Sequence, residues 1–502
     1  YNYLAIVFEE GTNVIYIVDM YNDSDLQDDS TTVGLQFNGS LAVSVGDTIG
    51  LAGNGSSNSD NDYYQFITYP AGTCIPPSQL GVQNITASSA DISFTSYNTG
   101  ATPVAQYGPA GFTPGTGTSV VGSGSLVLLS GLSGNTSYDV FVKDSCSASS
   151  VSAWTGPINF RTNCSSSLSG SYTVNGSLAP SSTNFQTLSS LAATLNNCGI
   201  SGPVNVSIAS GTYNEPLILD QVLGASSSNP IVIDGVDSSQ VVISFGSAND
   251  TPVVWLNGTD WVTIKNLTIE NTYSSSDAWG IMLSNKADHN TIDGVQVKLE
   301  PKSTSDRSPI LTSSSTSSVS GGDNGNHLSV KNSRLVGGYY GLVFRGTSTQ
   351  HSYDVTIDNV IFEEQYYRGA WFDYADSVSV TDNTFPKSSS TSTLYYSLYL
   401  NDVDQIEVSG NNIISPERGI YLYDVNQSLP TNALSRVYNN MVMAEGSYAV
   451  YSYDNKKVGF YHNTFMGDDG MYINDQDTME IVNNVLYGYT YALYSSDSFD
   501  PV

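Results

Sequence analysis

The groups in this chain that could do chemistry are four histidines, a sparse set of cations and a large excess of aspartate. His289, His327, His351 and His462 stand far apart and show neither triad nor metal-ligand spacing. Eliminative cleavage of an anionic polysaccharide needs a base to take a proton and cations to neutralise the uronate. The C-terminal two-thirds offers little beyond Arg345, Arg368, Lys387 and Arg418, scattered among acidic neighbours. Hydrolysis of a glycosidic bond needs two carboxylates on one face; Asp373 with Asn401 and Asp402 comes nearest, and an Asp-rich chain produces such pairs by chance. Glycine-rich stretches lack the GxxxxGK(S/T) phosphate cradle. The residues therefore give no catalytic site.

With 47 acidic against 16 basic residues, the net charge of −31 repels nucleic acid and anionic membrane. A surface of this kind suits a salty medium, and it also suits calcium. The acidic loop with Asp19, Asp23, Asp25, Asp28 and Asp29 is the candidate calcium site, although it lacks the glycine and terminal glutamate of an EF-hand loop. Cys74, Cys146, Cys164 and Cys198 include no CxxC and no neighbouring histidine to complete a zinc site, so they read as disulfides in an oxidising, exported compartment. Four cysteines can pair in three ways. No apolar run approaches the roughly 20 residues of a membrane span, so direct membrane insertion is not expected.

These residues must be positioned by strands. Gly, Ser, Thr, Asn, Asp, Tyr and Val dominate while strong helix formers are few, which predicts an all-β protein. A length of 502 residues calls for several domains. Residues 1–72 read as strands and turns of a partial β-sandwich belonging to an upstream domain, the chain opening in mid-domain as a piece of a longer secreted protein.

Residues 73–163 hold about seven short apolar runs with turn signals every 8 to 12 residues, as in an immunoglobulin-like sandwich. Pro77-Ser78-Gln79-Leu80 leading to Val82 and Ile85, Ala90 to Phe94, Leu129-Ser130-Gly131-Leu132 before Asn135 to Val142, and the closing Trp154 to Phe160 resemble a fibronectin type III domain. Phe94 stands where that family usually has Trp. The resemblance implies a disulfide between Cys74 and Cys146, because the chain start and the loop between the last two strands share one end of that fold. It leaves Cys164 to pair with Cys198.

After Cys164 the pattern changes. One amphipathic helix, about 184–197, precedes Val204 to Ile208, Gly211-Thr212-Tyr213-Asn214-Glu215 and Leu217 to Leu219. These resemble the opening coils of right-handed parallel β-helix proteins, with the helix as an N-terminal cap over the exposed end of the core, and residues 164–502 are assigned to that fold. A repeat, apolar-x-(Asn/Asp/Gly)-x-x-apolar, recurs from Ile264, Val330, Ile357, Val380, Val408, Val437, Phe460 and Ile481, from residue 359 onward at roughly 21 to 29 residues per turn of the solenoid. One residue beyond its polar position lie Asn383, Asn411, Asn440, Asn463 and Asn484, a column that can pass amide hydrogen bonds from coil to coil. Its role is structural.

A second strand recurs as apolar triplets whose outer members point inward and whose middle members point outward. The outward column is Met282, Val343, Trp371, Tyr399, Tyr421, Val450, Tyr472 and Leu493. Such an apolar stripe on an acidic protein marks a face for self-association, a platform for sugar rings, or a strip under the chain's own loops, the Ser/Thr-rich residues 299–328 being one candidate cover.

The order of modules, with Asp144-Ser145-Cys146, Trp154-Thr155-Gly156-Pro157 and Gly211 to Glu215, resembles modular bacterial surface adhesins and appendage subunits exported by type IX secretion. The resemblance implies an extracellular, cell-surface, non-catalytic segment, adhesive or filament-forming, whose partner is a second copy of itself (a homo-oligomer or filament) or a cell-surface glycan or protein. No cofactor is implied. A polysaccharide lyase or glycoside hydrolase on the same scaffold is the alternative.

Overall fold

The computed structural model describes residues 4–10, 13–15, 49–53, 74–247, 250–274, 276–300, 306–427 and 434–496. The acidic loop around Asp19 to Asp29 lies outside them. Two compact units divide the chain, Tyr1–Ser165 and Ser166–Val502.

In the first unit, Leu4–Glu10 pairs antiparallel with Asn13–Ile15 and Ile49–Gly53. Beyond residue 73 the strands form two antiparallel sheets. Ser78–Gln83, Ser89–Thr95 and Leu126–Ser130 make one. The other has Ser137–Ser147 between Thr102–Pro109 and Thr155–Arg161, with Thr118–Val121 at the edge of Thr102–Pro109. Alternation along the strands turns Ala90, Ile92 and Phe94 of the first sheet and Tyr138, Val140 and Val142 of the second into one buried core. Cys74 is bonded to Cys146 with 5.8 Å between their Cα atoms. Cys164 and Cys198 also carry disulfides, and no described cysteine is free.

Among the described residues the second unit is one continuous ladder of 29 strands in which each strand pairs mainly with the one three places on. These pairings are parallel throughout, so three strands and their turns make one coil and successive coils stack. One inward column runs in register through Ile264, Ile292, Val330, Ile357, Val380, Val408, Val437, Phe460 and Ile481. All but Ile481, the last of the column and without a described strand stacked beyond it, belong to a single core. Ile292 belongs to a coil that the sequence repeat passes over, with Gly294 in the polar corner position.

That corner explains the repeat. Asn266, Gly294, Asn332, Asn359, Asp382, Gly410, Asn439, His462 and Asn483 all have φ between +51° and +68°. In this left-handed region Gly has no Cβ to clash, and Asn and Asp are the side chains that tolerate it best.

The only described helix spans Leu188–Cys198 and buries Leu188, Leu191, Ala192 and Leu195 in the same core as the first coils. It starts later than the expected residue 184, because Thr187 is its N-cap, with Ser190 completing a capping box, while Asn184–Phe185 form a short strand. The Glu215 carboxylate accepts the N–H groups of Leu188 and Ser189 at 2.8 and 3.1 Å, where the helix end favours negative charge.

Candidate functional site

Parallel, in-register coils put equivalent residues about 4.8 Å apart. Aromatic rings at that separation lie within stacking range. On the second strand of each coil the outward ladder runs Trp255, Met282, Leu311, Val343, Trp371, Tyr399, Tyr421, Tyr451, Tyr472 and Tyr494. It has two halves.

In the first half Met282, Leu311 and Val343 are outward-facing yet fully buried, packed with Trp279 and Tyr340. Their cover is this chain's own segment: Val319 packs on the cluster and the Thr316 carbonyl accepts Trp279 Nε1–H at 2.6 Å. The Ser/Thr-rich stretch 299–328 is therefore part cover and part coil, since Arg307–Thr312 is itself a strand of the ladder.

From Trp371 onward the ladder is half-exposed. Tyr399, Tyr421, Tyr451, Tyr472 and Tyr494 stack with centroids 4.7, 4.9, 5.0 and 4.8 Å apart and planes within 16°. Tyr396, Tyr448 and Tyr491 flank them at steep angles, and Tyr423 stacks on Tyr453 at 5.1 Å alongside. Each inner ring uses both faces on its neighbours, so the ladder presents ring edges; flat stacking of sugars on its interior, one of the readings open from sequence, does not fit. Burial first, then the neighbouring tyrosines, pushes the Tyr421 hydroxyl up, and that of Tyr451 up to about 12, so both are neutral phenols at physiological pH.

Two sequence placements need correction. Val450 pairs with the inward Ile420 and is buried in the core; the outward residue is Tyr451. Leu493 pairs with the inward Met471, and the outward residue is Tyr494. In both coils a serine fills an inward position, Ser452 opposite Leu422 and Ser495 opposite Ile473, which displaces the apolar pattern by one residue.

The cations are not scattered either. Arg345, Arg368 and Arg418 converge where the ladder emerges. Arg345 lies 4.3 Å over Trp371 and pairs with Asp373 at 2.7 Å, and the same carboxylate accepts Asn401 Nδ2–H at 2.7 Å. Asp373 is thus held as a counter-ion. Arg368 sits 4.1 Å over Trp371 and 3.8 Å over Tyr399. Arg418 lies 4.9 Å over Tyr396 and donates to its hydroxyl at 2.6 Å. Lys387 instead pairs with Glu445.

The asparagines form a second, internal ladder. Asn383, Asn411, Asn440 and Asn463 each donate backbone N–H and Nδ2–H to the side-chain oxygen of the asparagine one coil on, ending at Asn484. On the four preceding coils the column is occupied by Leu267, Val295, Ser333 and Val360 in turn. His351, Asp376 and Asp404, from successive coils, bring one ligand atom each within 4.8 Å and could hold a metal ion, with His351 Nδ1 already 2.8 Å from Asp376. No alternation or motif in the sequence announces this trio, because only coil register unites it.

Residues 317–486 match the model of a family described as the right handed beta helix region. The protein carries a right-handed β-helix. No curated protein matches the chain. Among solved structures it is similar to PfbA, a surface adhesin of Streptococcus pneumoniae, at 13% identity over 58% of this chain and 85% of that chain, TM-score 0.39. It is also similar to the Yersinia enterocolitica family 28 exopolygalacturonase, at 10% identity over 84% and 97%, TM-score 0.31. The A-module of the Azotobacter vinelandii mannuronan C-5 epimerase AlgE4 is similar at 12% identity over 59% and 91%, TM-score 0.35. Likeness at these identities and TM-scores assigns no role to this chain.

Proposed function

We propose that this chain is a structural and adhesive segment of a large extracellular surface or filament protein, and that the half-exposed tyrosine face of the β-helix, Trp371 to Tyr494, is its contact surface. In this reading residues 73–163 are a fibronectin type III-like spacer and 164–502 a β-helix capped by the helix Leu188–Cys198. Disulfides suit export to an oxidising environment. The observation that carries the reading is the contrast between the halves of one ladder. The chain covers Met282, Leu311 and Val343 with its own segment and leaves five stacked tyrosines half-bare over the next coils. A long aromatic strip on a rigid support, bounded by polar surface, is the composition of a contact site.

A uronate-cleaving enzyme would use the same arginines, but it would also need a proton acceptor beside them, and Asp373 is engaged by Arg345 and Asn401. Binding without turnover is therefore the preferred function. Incubation with a panel of glycans, read for unsaturated products and reducing ends, tests it; turnover on any of them would replace this reading with the enzymatic one. Mass in solution, with and without chelator, decides whether the segment also self-assembles and whether divalent cations take part.

A further inference from the structure

We propose that the end of the tyrosine face marked by Arg368 and Arg418 binds the carboxylate or sulfate groups of an anionic polysaccharide. This deepens the reading of that face as a contact surface and depends on it.

The net charge of −31 repels a polyanion at long range, so binding at this locus rests on short-range contact with two arginines that lack a counter-ion. Among the described residues neither Arg368 nor Arg418 has a carboxylate partner, whereas Arg345, next to them, has Asp373. Arg368, Tyr396 and Arg418 are in register on three successive coils, so the two cations are two coil spacings apart along the solenoid axis with an aromatic ring between.

Arg368 is clamped over Trp371 and Tyr399, and this contact uses the face of the guanidinium. Its N–H groups lie in the plane of the guanidinium, so stacking uses the faces and leaves the terminal Nη groups as the donors for a planar or tetrahedral anion. Three polar atoms here are shut from water with no hydrogen-bond partner among the described residues: Arg368 Nε, Arg418 Nε and Trp371 Nε1. All three are donors, and such groups are normally satisfied. Acceptor oxygens are what this locus lacks. A flexible chain with repeated acidic groups can reach both arginines and lie across the edges of the tyrosine ladder. A lone small anion can meet only one.

The test is calorimetric titration of the intact chain with matched probes: polygalacturonate against its methyl ester for carboxylate, and dextran sulfate against dextran for sulfate. Binding is expected for at least one charged probe and for neither neutral one, and the charged probe that binds names the group. Arg368→Gln should weaken binding about tenfold, and Arg368→Lys, which keeps the charge but not the fork, should restore only part of it. Circular dichroism of both variants guards against misfolding. Equal binding of charged and neutral probes, or wild-type affinity in Arg368→Gln, overturns the inference while leaving an adhesive face intact. No binding to any probe overturns it as well, and attachment or self-association through the tyrosines is then judged by its own assay.

Discussion

Asn411 accepts two hydrogen bonds from Asn383 on one side-chain oxygen, from the backbone N–H at 2.9 Å and from Nδ2–H at 3.0 Å, and both residues are almost fully buried. Its own Nδ2–H donates to the Val380 carbonyl at 2.9 Å. With its further bond to the Asn440 side-chain oxygen at 2.9 Å, one amide thus ties three successive coils.

Asn411→Leu should therefore destabilise the β-helix by about 1–3 kcal/mol, because it leaves the buried Asn383 N–H without an acceptor. Equilibrium unfolding in urea checks this. Leucine is nearly isosteric and already occupies the equivalent place at residue 267, so lost volume is not the cause.

Val450→Asp should unfold the neighbouring coils or cost several kcal/mol, since it puts a carboxylate into the core. Tyr451→Ser, one residue on, should lower the melting temperature far less, because its ring is half-exposed. Equal effects in thermal unfolding would mean that the assigned register is wrong.

Much of this fold can be read from the sequence, and the failures are instructive. Corner residues are legible because positive φ restricts them to Asn, Asp, Gly and the occasional His, as at His462. The outward column went astray at Val450 because Ser452 points inward, satisfied by hydrogen bonds with Gln476 and Asn455 rather than by apolar packing. Hydrophobic alternation cannot register a buried serine. The arginine cluster was illegible for another reason. Arg345, Arg368 and Arg418 meet only once the unequal coil lengths are in register, and no spacing in the chain encodes that.

Asp424 predicts a pH response. Burial, then the Asp454 and Asp402 carboxylates, raises its pKa from 3.8 to about 6. Its folded form holds the proton more tightly than the unfolded form, so its contribution to stability is present below about pH 4 and is lost as pH rises to about 6. Asp277, Asp288, Asp306, Asp402 and Asp469 are shifted the same way, while Asp139, Asp234 and Asp237 are shifted oppositely. Asp424→Asn should raise the melting temperature near neutral pH and flatten the profile between those limits, as scanning calorimetry across pH would record.

Reducing the Cys74–Cys146 bond, which closes a loop with a sequence separation of 72, should destabilise the two-sheet core of residues 74–163 by about 4 kcal/mol on the chain-entropy model. Urea unfolding of Cys74→Ala/Cys146→Ala against wild type, followed by a probe in residues 74–163 such as Trp154 fluorescence, measures it.

Attachment of the purified chain to glycan-coated and cell surfaces, compared with Tyr421→Ser/Tyr451→Ser, puts the tyrosine face to the most direct trial. The double variant should keep the β-sheet circular dichroism of the wild type and lose most of its attachment. Undiminished attachment by a folded double variant would contradict the assignment of this face as the surface through which the protein acts.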